Sequence, residues 1–326
     1  MTEQIKPCYG SEIQKTADEL NRFGNCFRFA VVTDTHLDNS LPQTLTNIRE
    51  VDSRVGFDCL LHLGDFLNGS LSRSYTKQLL NEQMELFKDC IASNHFYPVE
   101  GNHDGFGDRV ILHAVDITPD EDWYEATKFV DSYENVGRAP GKPYFYVDYP
   151  IRKIRLIVLC TFYYTGYDGK EQFKKLDGTD SLQAEWLKNT ALDVEKDWTV
   201  MIFSHDTPFV YFDERVCENN RQINGNLLMD IVKQAKNEKG FDFAAWFVGH
   251  YHGDYIGKVN GLNFIVIASE TAYIPQLWDM PDGGCYPKRQ LGTDTEDLWD
   301  GAVLDKDNRK VRLFRFGAGK NREIDY

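Results

Sequence analysis

Five apolar runs in this chain end in the same way, on side chains that can bind a metal ion. Phe27-Arg28-Phe29-Ala30-Val31-Val32 leads to Asp34-Thr35-His36, and Cys59-Leu60-Leu61-His62-Leu63 to Gly64-Asp65. Phe96-Tyr97-Pro98-Val99 leads to Gly101-Asn102-His103-Asp104. Val200-Met201-Ile202-Phe203 leads to Ser204-His205, and Ala244-Ala245-Trp246-Phe247-Val248 to Gly249-His250-Tyr251-His252. A short run that is apolar at nearly every position predicts a strand covered on both faces. The first three runs are separated by segments with helical spacing. That alternation predicts an α/β sheet with a polar site at the carboxyl edge of its strands.

The remaining elements follow from the pattern between these runs. Pro42 suits a helix first turn, and Leu45, Ile48 and Val51 continue a helix over 42–54. Further helices are expected over 75–92, 121–130, 182–192 and 225–239. Strands are expected at 27–32, 59–63, 96–99, 143–149, 154–160, 198–204 and 241–249. A hairpin over 255–259 and 264–268 turns at Asn260-Gly261, and a last one over 302–304 and 310–316 turns at Asp307-Asn308. Residues 1–25 read as a polar N-terminal extension, weakly helical around 13–20. Residues 26–326 read as a single domain, with an insertion at about 105–142 and a long loop at about 269–300.

The 326 residues carry a formal charge of −15, which disfavours attraction to nucleic acid or an anionic membrane. Glu3, Glu12, Asp18 and Glu19 interrupt the first thirty residues, so neither a signal peptide nor a membrane span is expected. The seven cysteines lack CxxC spacing, and several lie in apolar runs. Reduced thiols and a cytoplasmic location are the expectation.

The strand-end donors are Asp34, His36, Asp65, Asn102, His205, His250 and His252, all nitrogen or oxygen ligands without a thiolate. Such a set suits Mn²⁺, Fe²⁺, Ni²⁺, Co²⁺ or Zn²⁺. Seven donors exceed the usual four of one zinc and suit two divalent ions that share a carboxylate. Two such ions, two carboxylates and one hydroxide sum to about +1, which suits an anionic phosphoester.

The series Asp34-x-His36, Gly64-Asp65, Gly101-Asn102-His103-Asp104, His205 and Gly249-His250-x-His252 resembles the calcineurin-like metallophosphoesterases. The likeness covers the chain from about Arg28 to Ala268, with all five motifs in the family's order. It implies two packed mixed sheets flanked by helices in a four-layer sandwich. It also implies that Asp34, His36 and His252 hold one ion, that Asn102, His205 and His250 hold a second, and that Asp65 bridges them. His103 would protonate the leaving oxygen or stabilise phosphoryl charge, with Asp104 orienting it. The reaction implied is in-line attack by a hydroxide shared between the ions. No arginine adjoins Gly101-Asn102-His103-Asp104, unlike the arrangement in protein Ser/Thr phosphatases.

Within that class a phosphodiesterase acting on a small substrate is favoured, with a phosphomonoesterase or nucleotide pyrophosphatase as the rival. A metal-stabilised scaffold without catalysis is the alternative from another class. Tyr163 and Tyr164 either line the substrate pocket or pack within their loop. Arg215 and Arg221 are candidates for contact with a phosphate. His62, His95 and His113 read as structural, and His62, inside an apolar run, reads as a hydrogen-bonded core histidine.

Overall fold

The computed structural model describes residues 6–69, 71–105, 120–165, 174–177, 181–208, 225–271, 280 and 283–326. Six strands form the first sheet. Its central strands are β1 (Phe27–Val32), β2 (Cys59–His62) and β3 (Phe96–Pro98), which run parallel. On the other side of β1 lie β13 (Leu298–Asp305), β14 (Lys310–Gly317) and β15 (Arg322–Asp325), all antiparallel. The second sheet holds seven strands. Its parallel centre is β6 (Ile154–Val158), β9 (Thr199–Phe203), β10 (Asp242–Val248) and β12 (Leu262–Val266). Its edges are β4 (Val136–Arg138) with β5 (Phe145–Tyr149), and β11 (Tyr255–Val259). A separate hairpin pairs β7 (Phe162–Thr165) with β8 (Lys174–Asp177).

The two-residue period of a strand sorts its side chains into layers. Phe29, Val31, Leu61 and Leu63 meet Phe203, Phe247 and Ile265 between the sheets. Ala30, Val32 and Leu60 point the other way, onto α1 (Gly10–Asn21), α2 (Leu41–Val55) and α3 (Arg73–Lys88). Ile202, Trp246 and Val248 face α5 (Ser181–Trp186) and α6 (Gly225–Lys239). The result is the expected sandwich of two mixed sheets between helical layers. Each fully buried phenylalanine of the central layer, such as Phe29, contributes roughly 2 kcal/mol by leaving water.

Several boundaries differ from the sequence expectation. Ile13, Ala17 and Leu20 form one apolar stripe, and α1 runs beyond the weak helix expected, with all three side chains in the core. The helix expected over 182–192 continues from α5 as a wider π turn over Leu187–Ala191. Between the strand expected at 154–160 and the helix expected over 182–192, where no strand was expected, lies the β7–β8 pair. The stretch read as an insertion contains β4 (the 120–127 helix α4 precedes it). The long loop ends early, because residues 298–300 already belong to β13. Asp300 and Gly301 hide that strand's apolar pattern. Asp300 is buried against Arg315, and Gly301 leaves room for Leu20. β15, a polar edge strand, was not expected. Six described cysteines are free. Among the described residues no helix is long and apolar enough to cross a membrane.

Candidate metal centre

Because β1, β2, β3, β9 and β10 are parallel within their sheets, their carboxyl ends deliver the five motifs to one edge. Backbone bonds lace these ends together. Asp34 N–H donates to Gly64 O at 2.9 Å, His36 N–H to Asp65 O at 3.1 Å, and Gly249 N–H to His205 O at 2.9 Å. The two sheets also meet here, since His250 N–H donates to Asp34 Oδ2 at 3.1 Å.

Two motif glycines are dictated by close approach. A Cβ on Gly101 would lie 2.2 Å from the backbone nitrogen and Oδ1 of Asp65, and one on Gly249 would lie 2.0 Å from Thr33 Oγ1. Five of the seven donors are bent into the left-handed region: Asp34 (φ 51°), His36 (45°), Asp65 (58°), His250 (65°) and His252 (56°). Non-glycine residues held there cost on the order of 1–2 kcal/mol each, so surrounding bonds must over-determine them.

The donors form two groups, Asp34 with His36 and His252, and Asp65 with His205 and His250; within each, the candidate ligand atoms lie within 4.8 Å of one another. His36 Nε2 and His252 Nε2 are 3.5 Å apart. His205 Nε2 lies 3.2 Å from Asp65 Oδ2, 3.2 Å from His250 Nδ1 and 3.0 Å from Asn102 Oδ1, so Asn102 joins the second group. Asp65 reaches both groups, with Oδ2 at 3.8 Å from His36 Nε2.

Proton bookkeeping shows what these atoms await. The Nδ1–H of His36 donates to Leu67 O at 3.0 Å, and that of His205 to Leu63 O at 2.7 Å. A carbonyl oxygen only accepts, so in the neutral ring each Nε2 presents a lone pair. Those lone pairs aim at carboxylate oxygens, which are also acceptors. Oδ1 of the buried Asp34 makes no hydrogen bond, with imidazole Nε2 atoms at 3.2 Å (His252), 3.9 Å (His36) and 3.9 Å (His205). Carboxylate oxygens and imidazole nitrogens that converge in this way, away from water, fit a divalent cation.

The electrostatics agree. Burial opposes ionisation of Asp65, but the imidazoles of His205 and His103 hold its carboxyl well below the usual range. Burial likewise works against a charged His205, yet Asp65 and Asp34 overcome it and push the ring up to about 10. Burial lowers His250 to about 4 and lowers His36. The pocket therefore favours positive charge at its centre, on the His205 ring here, while His36 and His250 stay neutral.

His103 sits at the lip, a quarter exposed on its side chain. Its Nδ1 faces Asn68 O at 3.0 Å, and its Nε2 lies 3.9 Å from Asp65 Oδ2. Asp104 lies beneath, buried. Its carboxylate accepts the backbone N–H groups of Gly101 (2.9 Å), Asp65 (2.9 Å), Phe66 (2.7 Å) and Leu67 (3.1 Å). It thus reaches the loops that carry Asp65 and His103, while the His103 ring is held by Asn68. His62 is the core histidine expected: Gly64 N–H donates to its Nδ1 at 3.1 Å, Thr35 Oγ1 lies 3.0 Å from Nε2, and Phe66 stacks on the ring.

Sequence reasoning missed Thr33, whose hydroxyl donates to Asp34 Oδ2 at 2.6 Å, and the pair formed by Tyr251 and Asp206, where the phenol donates to Oδ1 at 2.6 Å. The latter ties the His205 loop to the His250 loop. Adjacency to a ligand was the available signal for all three. Tyr163 and Tyr164 fall in β7; Arg215, Arg221 and His113 lie outside the described residues.

This fold and donor set define a metallophosphoesterase. Residues 27–254 match the calcineurin-like phosphoesterase family, and the chain belongs to it. No curated protein matches the chain significantly. Among solved structures it is similar to GAP50, the anchor in the inner membrane complex of Plasmodium, at 11% identity and TM-score 0.50, over 92% of this chain and 89% of that one. It is also similar to a putative 5'-nucleotidase from Staphylococcus aureus, at 12% identity and TM-score 0.44, over 91% of this chain and 54% of that one. A third likeness is to the phosphopantetheinyl hydrolase of Mycobacterium tuberculosis, at 12% identity and TM-score 0.38, over 76% and 91%.

Proposed function

We propose that this chain hydrolyses a small phosphodiester with two divalent ions. Asp34, His36 and His252 would hold one ion, Asn102, His205 and His250 the other, and Asp65 both. The observation that carries the reading is the convergence of these donors, with imidazole lone pairs turned inward by backbone carbonyls. When bound, two divalent ions supply acidified water and positive charge against the phosphoryl oxygens. The chain's own residues do the rest. Asp65 and Asp34 bring the negative charge that retains the ions. His103 stands at the lip with Nε2 toward the centre and moves a proton to the leaving oxygen.

A net site charge of about +1 also suits a monoanionic diester. A phosphomonoesterase or nucleotide pyrophosphatase is the rival. Tyr163, Tyr164, Arg215 and Arg221 are proposed substrate contacts, and the acidic chain with free thiols is proposed to be cytoplasmic. The likeness to an anchor protein concerns the fold alone.

The test strips the protein with chelator, reloads it with Mn²⁺, Ni²⁺, Zn²⁺ or Mg²⁺, and compares a bis-aryl phosphate diester with the matching monoester. Diester turnover well above monoester turnover is expected. A monoester preference would overturn the diesterase reading in favour of the rival.

A further inference from the structure

A fully buried acidic cluster adjoins the donors and takes no part in the chemistry above. Glu270 follows β12, and its N–H donates to Thr33 O at 2.9 Å. Its neighbours reach the Asp34 carbonyl oxygen, Ser269 through its hydroxyl at 2.9 Å and Thr271 through its N–H at 3.5 Å. Residues 269–271 therefore form a strap along the loop that carries Asp34 and His36. The far side of the strap is anchored by side chains. Glu270 Oε1 lies 2.8 Å from Ser40 Oγ and 2.6 Å from Thr44 Oγ1, and Thr44 Oγ1 lies 2.8 Å from Asp297 Oδ1.

Counting protons decides the state of this cluster. Thr44 has one hydroxyl proton and two carboxyl groups at hydrogen-bond distance. Were both ionised, one short contact would set lone pair against lone pair away from water. One carboxyl must keep its proton. Asp297 has donors for its charge, Asn47 Nδ2 at 2.7 Å and Leu298 N–H at 2.8 Å. Glu270 Oε2 is buried without a hydrogen bond. The guanidinium of Arg289 goes to the carbonyl oxygens of Ser269, Glu270 and Glu296 and bonds neither carboxyl.

We propose that Glu270 is a positioning residue that stands as a neutral carboxylic acid at physiological pH. It donates to Thr44, which donates to Asp297, and the chain of bonds fixes the loop bearing Asp34 and His36. The importance of that loop rests on the metal-site reading; the protonation state does not. Burial and then the charge of Asp297 push Glu270 up to about 8, against the hydroxyls of Thr44 and Ser40 and the more distant Arg289. Asp38, bonded by Thr271 and Ser40, and Tyr9 and Glu296 beside Asp297 are the other ionisable groups around the cluster. The folded pKa is raised above its ordinary value, so the folded chain holds the extra proton. The clamp is intact at neutral pH and weakens as pH rises through about 8.

Two readouts test this without substrate: difference infrared spectra, and Mn²⁺ affinity between pH 7 and pH 9. The Glu270→Gln variant keeps a donor to Thr44 but has no proton to lose. Wild type should show a carboxylic-acid carbonyl band at pH 7 that vanishes on alkaline titration and is missing from the variant. Glu270→Gln should bind Mn²⁺ within about two-fold of wild type at pH 7 and roughly tenfold more tightly than wild type at pH 9, the loss of ligand protons such as that of His205 acting on both proteins alike. Glu270→Ala should be weaker at both. A band absent from wild type at pH 7, a band retained in Glu270→Gln, or a ratio of the two affinities that is the same at pH 7 and pH 9 would overturn the proposal. If the variant does not fold, the wild-type infrared titration alone decides. A protein that passes these tests and hydrolyses no phosphoester sinks the functional reading and leaves this one standing.

Discussion

The carboxylate of Asp104 accepts the backbone N–H of Asp65 at 2.9 Å, and both side chains are buried. Three more N–H groups, those of Gly101, Phe66 and Leu67, end on the same carboxylate. Asp104→Ala leaves four buried donors without an acceptor, each worth about 1–3 kcal/mol before relaxation. The expected loss is at least about 3 kcal/mol by denaturant titration, with weakened metal binding. Asp104→Asn keeps an acceptor oxygen and should fall between. A loss under about 1 kcal/mol for the alanine variant would show that this carboxylate does not hold the loop.

Gly101→Ala should fold poorly or lose metal binding, because its methyl would lie 2.2 Å from the backbone nitrogen and Oδ1 of Asp65. Gly10→Ala is the control. Gly10 has a helical φ of −56° and nothing within 4 Å of an added Cβ, so that change should stabilise by about 0.5–1 kcal/mol. Thermal melts of both variants, with and without Mn²⁺, decide the point.

His62 carries a pH prediction. Burial holds its ring neutral, well below its ordinary value of 6.5. The unfolded chain takes up a proton below about pH 6.5 that the folded chain refuses, so stability falls as pH falls through that value. One such group contributes a slope of up to about 1.4 kcal/mol per pH unit. Melts from pH 8 to 5.5 should show a shallower acid decline in His62→Gln than in wild type, at the cost of lower stability at pH 7 from the lost Phe66 stack. Parallel profiles would remove His62 from the account.

Asp65 reaches both donor groups, so its loss should cost more than one ion's worth of binding. Wild type should bind two divalent ions per chain and gain on the order of 2.7 kcal/mol from each at a hundredfold excess over its dissociation constant. Asp65→Asn should lose most of that gain, and His205→Ala should retain one ion. Calorimetric titration with Mn²⁺ reads both stoichiometries, and two ions retained by Asp65→Asn would contradict the shared role.

The five motifs were legible because each closes an apolar strand, where a charged or imidazole side chain has no packing purpose. β1 and α6 were likewise visible, at the bounds found. What lay hidden had a physical reason. The left-handed backbone at His36 and His250 leaves no compositional mark, since neither is glycine. Asp300 in β13 and Asp254 after His252 look like solvent-facing loop residues until Arg315, opposite Asp300 on β14 and far from Asp254 in sequence, buries and pairs with both. Glu270 was invisible for the same reason. Its partners Thr44 and Asp297 lie 226 residues before it and 27 after.

The most direct measurement is hydrolysis of a bis-aryl phosphate diester by metal-reloaded wild type and by His103→Ala, with bound metal counted in each. Two ions are expected in both proteins, with metal-dependent turnover in wild type and a loss of roughly 10²–10⁴-fold in the variant. Two bound ions with no turnover under any metal, or a variant as fast as wild type, would contradict that expectation.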